Sequence, residues 1–287
     1  MAISALDVKS LRDRTGAGMA DCKKALDESN GDMEVAIEIL RKKGAATAAK
    51  RADKAANEGV VATAISDDHH RAAIVEVNCE TDFVARNEEF STFTRKLAQY
   101  VLETRPASTD DLLAGEIDGK TVQTWLNELL GKFSERIEIK RFSVLATDGF
   151  VSDYVHNGDK LGVLIEMSGT GDASKTGTLP RDLAMQVAAM NPAYVRREDV
   201  PEDVLAKEKE IYMEQVINEG KKPEFAEKII TGRLEKFFAD ACLLEQTFVK
   251  DSTKQIREVL ADVSKEIGGD LTVISFLRYN LGEASKN

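Results

Sequence analysis

The sequence predicts an α+β fold: an N-terminal three-helix module, two related β-hairpin/helix core subdomains, and an inserted antiparallel coiled-coil hairpin. Three observations predict it. Apolar residues recur at helical spacing through positions 1–44. From Gly59 the period changes, and runs rich in β-branched residues flank a polar turn. One strand–turn–strand–helix pattern then occurs twice, 90 positions apart.

The first 44 residues read as three short helices. Val8 and Leu11 stand three apart before a Thr15-Gly16-Ala17-Gly18 break. Asp21 is the expected N-cap of a second helix carrying Cys22, Ala25 and Leu26, which Asn30-Gly31 ends. Asp32 caps a third, whose Val35, Ala36, Ile39 and Leu40 form an apolar stripe, and Gly44 is expected to close it. Residues 1–45 are therefore a docking module, too small to bury much surface alone, and 46–57 an Ala/Lys-rich tether.

VVATAIS at 60–66 and RAAIVEVN at 71–78 form a hairpin around a four-residue polar turn. A helix follows with Phe90, Phe93, Leu97 and Val101 on one face. Glu58-Gly59-Val60-Val61 aligns with Asp148-Gly149-Phe150-Val151, and Ile74-Val75-Glu76-Val77 with Leu164-Ile165-Glu166-Met167. Leu97-Ala98 aligns with Val187-Ala188, and no gap is needed anywhere. The second copy has its own polar turn, His156-Asn157-Gly158-Asp159-Lys160. These bound one core subdomain at 58–147 and another at 148–195 completed by 246–287.

Residues 196–245 interrupt the second subdomain, and 20 of the 44 residues from 196 to 239 are charged, as suits helices that project into solvent. Leu205, Tyr212 and Val216 face Ile230, Leu234, Phe237 and Ala241 across a Gly220-Lys221-Lys222-Pro223 break, the spacing of two antiparallel coiled-coil helices. A helix from Thr253 to Ile267 and a strand DLTVISFLRY complete the chain.

Composition narrows the function. The 39 Lys and Arg against 50 Asp and Glu leave a net charge of −11, which argues against a general nucleic-acid binder or a protein drawn to anionic lipid. No run of about 18 apolar residues is present to span a membrane. The start MAISALDVKSLRDR has no apolar h-region, so a cytoplasmic protein is expected. Arg41 to Lys54 holds six basic residues and one acid. It reads either as a solvated helix end or as a docking strip for an acidic partner surface.

Cys22, Cys79 and Cys242 lie far apart, with no spacing that offers half a zinc site, so free thiols, no metal and no cofactor are expected. His69 and His70 sit in a polar turn, and no positional signature supports a Cys79–His catalytic pair. Gly169 to Thr176 comes one residue from a phosphate-loop pattern, but Ser174 stands where glycine is needed and the segment runs on into Gly-Thr-Leu-Pro. It reads as an ordinary strand-to-helix loop.

The segment Asn78-Cys79-Glu80-Thr81-Asp82-Phe83-Val84-Ala85-Arg86-Asn87 leaves a strand and enters a helix. Either Phe83 is tucked in with Asp82 as a cap, or the pair is exposed as an aromatic wedge beside a negative charge. Thr81 to Asn87, together with Leu11-Arg-Asp-Arg-Thr-Gly-Ala-Gly-Met-Ala-Asp-Cys-Lys-Lys-Ala-Leu26, closely resembles the bacterial elongation factor Ts family. The likeness includes Tyr154-x-His156, Gly162-Val163-Leu164 and Phe248-Val249 and extends over nearly the whole chain.

That resemblance implies a UBA-like N-terminal module and a guanine-nucleotide exchange factor, not an enzyme, acting on elongation factor Tu during translation. It implies that Thr81, Asp82, Phe83 and Val84 disturb the magnesium of the GTPase, with Phe83 as the wedge. Arg12, Met19 and Lys23 would grip its nucleotide domain, and His156 and Val249 another domain. Two copies would associate through the core. In some members a further helix follows the last strand and reaches the partner GTPase, whereas this sequence runs eight residues past Tyr279. The alternative is a non-catalytic scaffold or chaperone for a GTPase or other partner.

Overall fold

The computed structural model of the 287-residue chain describes residues 3–51, 53–156, 158–170, 173–221 and 223–283. It opens with helices α1 (Ala5–Thr15), α2 (Met19–Glu28) and α3 (Met33–Arg51). Ser4 and Asp7 cap the start of α1 reciprocally. The Oδ1 of Asp32 accepts from the Glu34 and Val35 amides at 3.0 Å, capping α3 as expected. The second helix starts earlier than Asp21: Gly18 is its N-cap, and Asp21 lies in the first turn, where its charge complements the helix dipole. Leu11, Cys22, Leu26, Ala36 and Leu40 anchor the small core, whereas Val35 is 43% exposed and Ile37 packs inward instead.

Gly44 does not close α3. The helix runs on to Arg51, so 46–51 are helical and not a tether. Glycine costs a helix interior only about 1 kcal/mol, and the alanine-rich run that follows favours helix. Gly44 also has a packing role. A Cβ there would stand 2.5 Å from the Asn127 carbonyl oxygen, so its absence lets α3 lie directly against a later helix.

The first sheet is built from β1 (Glu58–Ile65), β2 (Arg71–Cys79) and, after a long helical excursion, β5 (Ile137–Ala146), in the order β1-β2-β5. The excursion comprises α4 (Asp82–Ala85), α5 (Glu88–Thr104), α6 (Thr109–Ala114), a small ribbon of β3 (Glu116–Ile117) and β4 (Lys120–Thr121), and α7 (Val122–Phe133). Phe90, Phe93, Leu97 and Val101 of α5 are fully buried against the sheet. Val122, Trp125, Leu126, Leu129 and Leu130 face the same core from α7, which receives α3 on its outer side.

The second sheet has β6 (Phe150–Val155), β7 (Leu161–Gly169) and β10 (Leu271–Asn280), in the order β10-β7-β6. Between β7 and β10 run α8 (Leu179–Met190), α9 (Glu202–Asn218), α10 (Pro223–Ala241), a short β8 (Thr247–Phe248) with β9 (Asp251–Gln255), and α11 (Ile256–Ile267). The last helix thus starts at Ile256, not Thr253, because 251–255 pair as a strand. Helices α9 and α10 meet through Tyr212, Val216, Ala226, Ile230 and Leu234. Arg197 holds their base to Glu235 at 3.1 Å and to Glu245.

The 90-residue offset is a relation in space. The Val61 amide donates to the Asp159 carbonyl at 2.7 Å, and the Val151 amide donates to the His69 carbonyl at 2.8 Å. Each partner in one bond lies 90 positions from its counterpart in the other, as a pseudo-dyad between the sheets requires. His69 and Asp159 share left-handed φ angles of 58° and 55°. Val61 and Ile74 pack with their counterparts Val151 and Leu164 in one cluster between the sheets.

Candidate functional site

Strand β2 ends at Cys79, and the chain turns through Glu80 and Thr81 into the single-turn helix α4. Thr81, not Asp82, is the cap: its Oγ1 accepts from the Val84 amide at 3.4 Å. A helix this short presents side chains in alternating environments. Val84 and Ala85 are buried in the first core, while Phe83 points outward with 84% exposure. Phe83 is therefore not tucked in. Asp82 beside it is half-exposed and pairs with Arg86 at 3.2 Å.

The turn is held from two directions. The Glu135 carboxylate accepts from the Thr81 amide at 3.0 Å and from its hydroxyl at 2.7 Å. Because that hydroxyl spends its proton on Glu135, its lone pairs remain for the Val84 amide. Glu80 accepts a forked pair from Arg51, Nε at 2.6 Å and Nη2 at 2.7 Å, and the Arg136 amide at 2.5 Å. The Arg51 guanidinium holds the Glu80 carboxyl down to about 2, with the Arg136 amide and Lys54 assisting. Arg136 in turn donates to the Lys54 carbonyl at 2.6 Å.

Arg12, Met19 and Lys23 are exposed on either side of the α1–α2 break, Met19 and Lys23 one turn apart on α2. The break packs on Lys132, which in turn reaches the start of α5. A Cβ at Gly16 would come within 2.8 Å of Lys132 Cδ, and the Lys132 ammonium meets Glu89 in the first turn of α5. The basic strip is a solvated helix face at Arg41, Lys42 and Lys43, each half or more exposed, and its cations also meet acids of the same chain. Arg41 pairs with Glu128 at 3.3 Å, Lys42 with Glu38 at 2.7 Å, Lys43 with Asp21, and Arg51 with Glu80. Two of these pairs, Arg41 with Glu128 and Arg51 with Glu80, cross the seam between module and core, and the other two lie within the module.

His156 is exposed in the β6–β7 turn, its Nδ1 3.0 Å from the Tyr154 hydroxyl. Asn157 of that turn lies outside the described residues, as does Lys222 between α9 and α10. The Arg181 guanidinium on α8 lies 5.7 Å from the Tyr154 ring centroid. Its neighbour Asp182 takes Lys250 at 2.6 Å, next to the half-exposed Val249. Helix α8 thus joins His156 and Val249 into one surface. Lys160 reaches Glu58 at 2.5 Å, and Glu58 is the register partner of Cys79. The His156 turn and the Phe83 turn therefore open at the same end of the molecule.

Cys79 is fully buried, burial pushes its thiol up to about 12, and its Sγ donates to the Thr81 carbonyl at 3.2 Å. His69 and His70 are exposed in the β1–β2 turn. Gly171 and Asp172 of the phosphate-loop-like segment lie outside the described residues, and Ala173–Thr176 form a 3-10 turn before α8. Among the described residues no cluster of His, Cys, Asp or Glu is placed to hold a metal ion, and no helix is long and apolar enough to cross a membrane.

Sequence reading missed Glu135, Arg136 and the pairing of Arg51, because each acts on Glu80 or Thr81 from 29 or more positions away. It also passed over α7, although Val122, Trp125, Leu126, Leu129 and Leu130 carry the i, i+3, i+4, i+7, i+8 signal of an amphipathic helix.

A family model described as elongation factor TS matches residues 80–283. The chain is 45% identical over 283 residues to elongation factor Ts of Clostridium perfringens (strain SM101 / Type A), covering 98% of this chain and 93% of that one. It is 47% identical over 285 residues to elongation factor Ts of Prosthecochloris aestuarii and 48% identical over 285 residues to that of Chlorobium phaeobacteroides. In both cases 98% of this chain and 99% of the relative are covered.

Proposed function

The chain belongs to the elongation factor Ts family, and from that premise we propose how its surface does the family's work. It is a guanine-nucleotide exchange factor for elongation factor Tu in translation elongation. The GTPase holds GDP through its phosphate loop and a magnesium ion, and release is slow because those contacts break together. An exchange factor accelerates release by binding the nucleotide-free form more tightly, and linkage makes nucleotide weaken its grip in return. No covalent bond is made or broken.

In this reading the Thr81–Val84 turn dislodges the magnesium, with Val84, buried in the first core, anchoring the turn rather than touching the partner. Phe83 enters between helices of the GTPase while Asp82 disturbs the groups that position the ion. Arg12, Met19 and Lys23 of a UBA-like module grip the nucleotide domain. His156 and Val249 contact another domain, so that force is applied at two separated points. The helical hairpin of α9 and α10 acts as a projecting coiled coil, and two copies associate through the core. The protein works in the cytoplasm without direct contact to nucleic acid.

The observation that carries this reading is the 84% exposure of Phe83 on a turn whose neighbours Val84 and Ala85 are buried. Leaving an aromatic ring in water beside a buried valine has no folding benefit and suits an anchor for a partner's pocket. Stopped-flow release of fluorescent GDP from elongation factor Tu tests it. Phe83→Ala slows release strongly if the turn acts as a wedge. A chain that bound the GTPase only as a scaffold would bind without accelerating release.

A further inference from the structure

The grip on the Phe83 turn has two properties that stability alone does not call for. Glu135 spends both carboxylate oxygens on one residue, Thr81, whose hydroxyl is the cap of α4. Glu80, immediately before it, is tied to Arg51 at the last position of α3, the helix that belongs to the docking module. A four-residue helix has no intrinsic persistence, since nucleating one turn is unfavourable in water. The direction of Phe83 therefore depends on what holds Glu80 and Thr81. The two holds come from different parts of the chain, 135–136 just before β5 and Arg51 at the end of α3.

We infer that Glu135 and Arg51 are positioning residues for exchange: Glu135 sets the pitch of the α4 turn through Thr81, and Arg51 makes the turn move with the docking module through Glu80. The inference rests on the wedge reading of Phe83. Under it, a module seated on the GTPase delivers Phe83 at a fixed offset from that seat. The entropy of orienting the ring is then met before the encounter and not during it. Loss of either hold leaves the apolar contact surface intact but lets the ring sample other directions, which lowers the rate of the step it drives more than the affinity.

The experiment measures release of fluorescent GDP from elongation factor Tu over a series of exchange-factor concentrations, separating the saturating rate from the half-saturating concentration. Glu135→Ala lowers the saturating rate about fivefold to tenfold, the range expected for loss of a cap's support, with half-saturation unchanged within about twofold. Glu135→Gln, which keeps the length and one acceptor, restores most of the rate. Arg51→Ala, at a partly exposed helix end, lowers the rate about threefold and supplies the same readout should Glu135→Ala fail to fold. Each loss vanishes in a Phe83→Ala background, because a positioning residue has nothing left to position. Additive losses in the double variants, or single variants that release GDP at the wild-type rate, overturn the inference. Phe83→Ala alone separates the two claims. If it does not slow release, the wedge reading falls. If it slows release while Glu135→Ala and Arg51→Ala do not, only the positioning roles fall.

Discussion

Val61 donates its amide to the carbonyl of Asp159 at 2.7 Å, and Val151, 90 positions on, repeats the bond onto His69 at 2.8 Å. Reciprocal bonds of this kind tie the two sheets together along one seam, with the Val61, Ile74, Val151 and Leu164 cluster packed between them.

The seam between the sheets should accordingly be costly to cut. Ile74 and its counterpart Leu164 are both fully buried in the cluster there. Ile74→Ala or Leu164→Ala is expected to destabilise by about 2 to 5 kcal/mol each. Because the two side chains share one cluster, the double variant should depart from additivity. Denaturant melts of the single and double variants measure both quantities.

Phe83→Ala gives the opposite balance. With 84% of the ring already in water, stability should change by no more than roughly 0.5 kcal/mol. GDP release from the partner should slow by a factor of about 10 to 30, as for loss of an aromatic anchor. Thermal melts and stopped-flow release report the two outcomes side by side.

Two glycines inside helices are expected to respond in opposite directions to alanine. At Gly44 the new Cβ would stand 2.5 Å from the Asn127 carbonyl oxygen, so α3 must lift from α7. The cost is about 1 to 3 kcal/mol despite better helix propensity. At Gly232, in α10, a Cβ meets nothing within 4 Å. There alanine should stabilise by up to about 1 kcal/mol. Urea titrations of both variants decide the pair of signs.

The Glu80 carboxyl predicts an acid-limb effect. Its value in the folded chain, about 2, lies below the ordinary 4.5, so ionised Glu80 favours the folded state. That contribution is complete above about 4.5 and is lost as pH falls towards 2. The stability difference between wild type and Glu80→Gln should therefore be constant in the neutral range and shrink through that window. A difference that stays constant to the bottom of the window would contradict the assignment.

The three thiols should be silent. Cys22, Cys79 and Cys242 are buried and form no disulfide, and burial raises each thiol, Cys79 to about 12 and Cys242 to about 11. A thiolate is the reactive species, so alkylation at neutral pH should require unfolding. Mass spectrometry after iodoacetamide treatment, with and without denaturant, checks this.

Much of the architecture was legible in the sequence because it is local. Asp32 as a cap, the buried face of α5 and the two hairpins follow from neighbouring residues and short periods. The offset between the copies is legible for the same reason, as one pattern written twice. Arg12, Met19, Lys23, Thr81 to Val84, His156 and Val249 were named from motif resemblance, and the structure leaves all of them at least partly exposed except Val84, which is buried.

What only the tertiary structure decided is what depends on groups far apart in the chain. Gly44 reads as a helix stop until α7 is seen beside it, because a glycine's lost propensity and its gain in close packing have the same local signature. The basic run from Arg41 to Lys54 reads as a solvated helix end or a docking strip, and only the fold places Glu128, Asp21 and Glu80 opposite Arg41, Lys43 and Arg51. Phe83 could have been tucked in or exposed, since α4 is too short for its own periodicity to choose a face. By itself the sequence determined which residues form the turn. Its orientation was decided by Val84 and Ala85 packing into the first core and by Glu135 and Arg51 holding the residues just before Phe83.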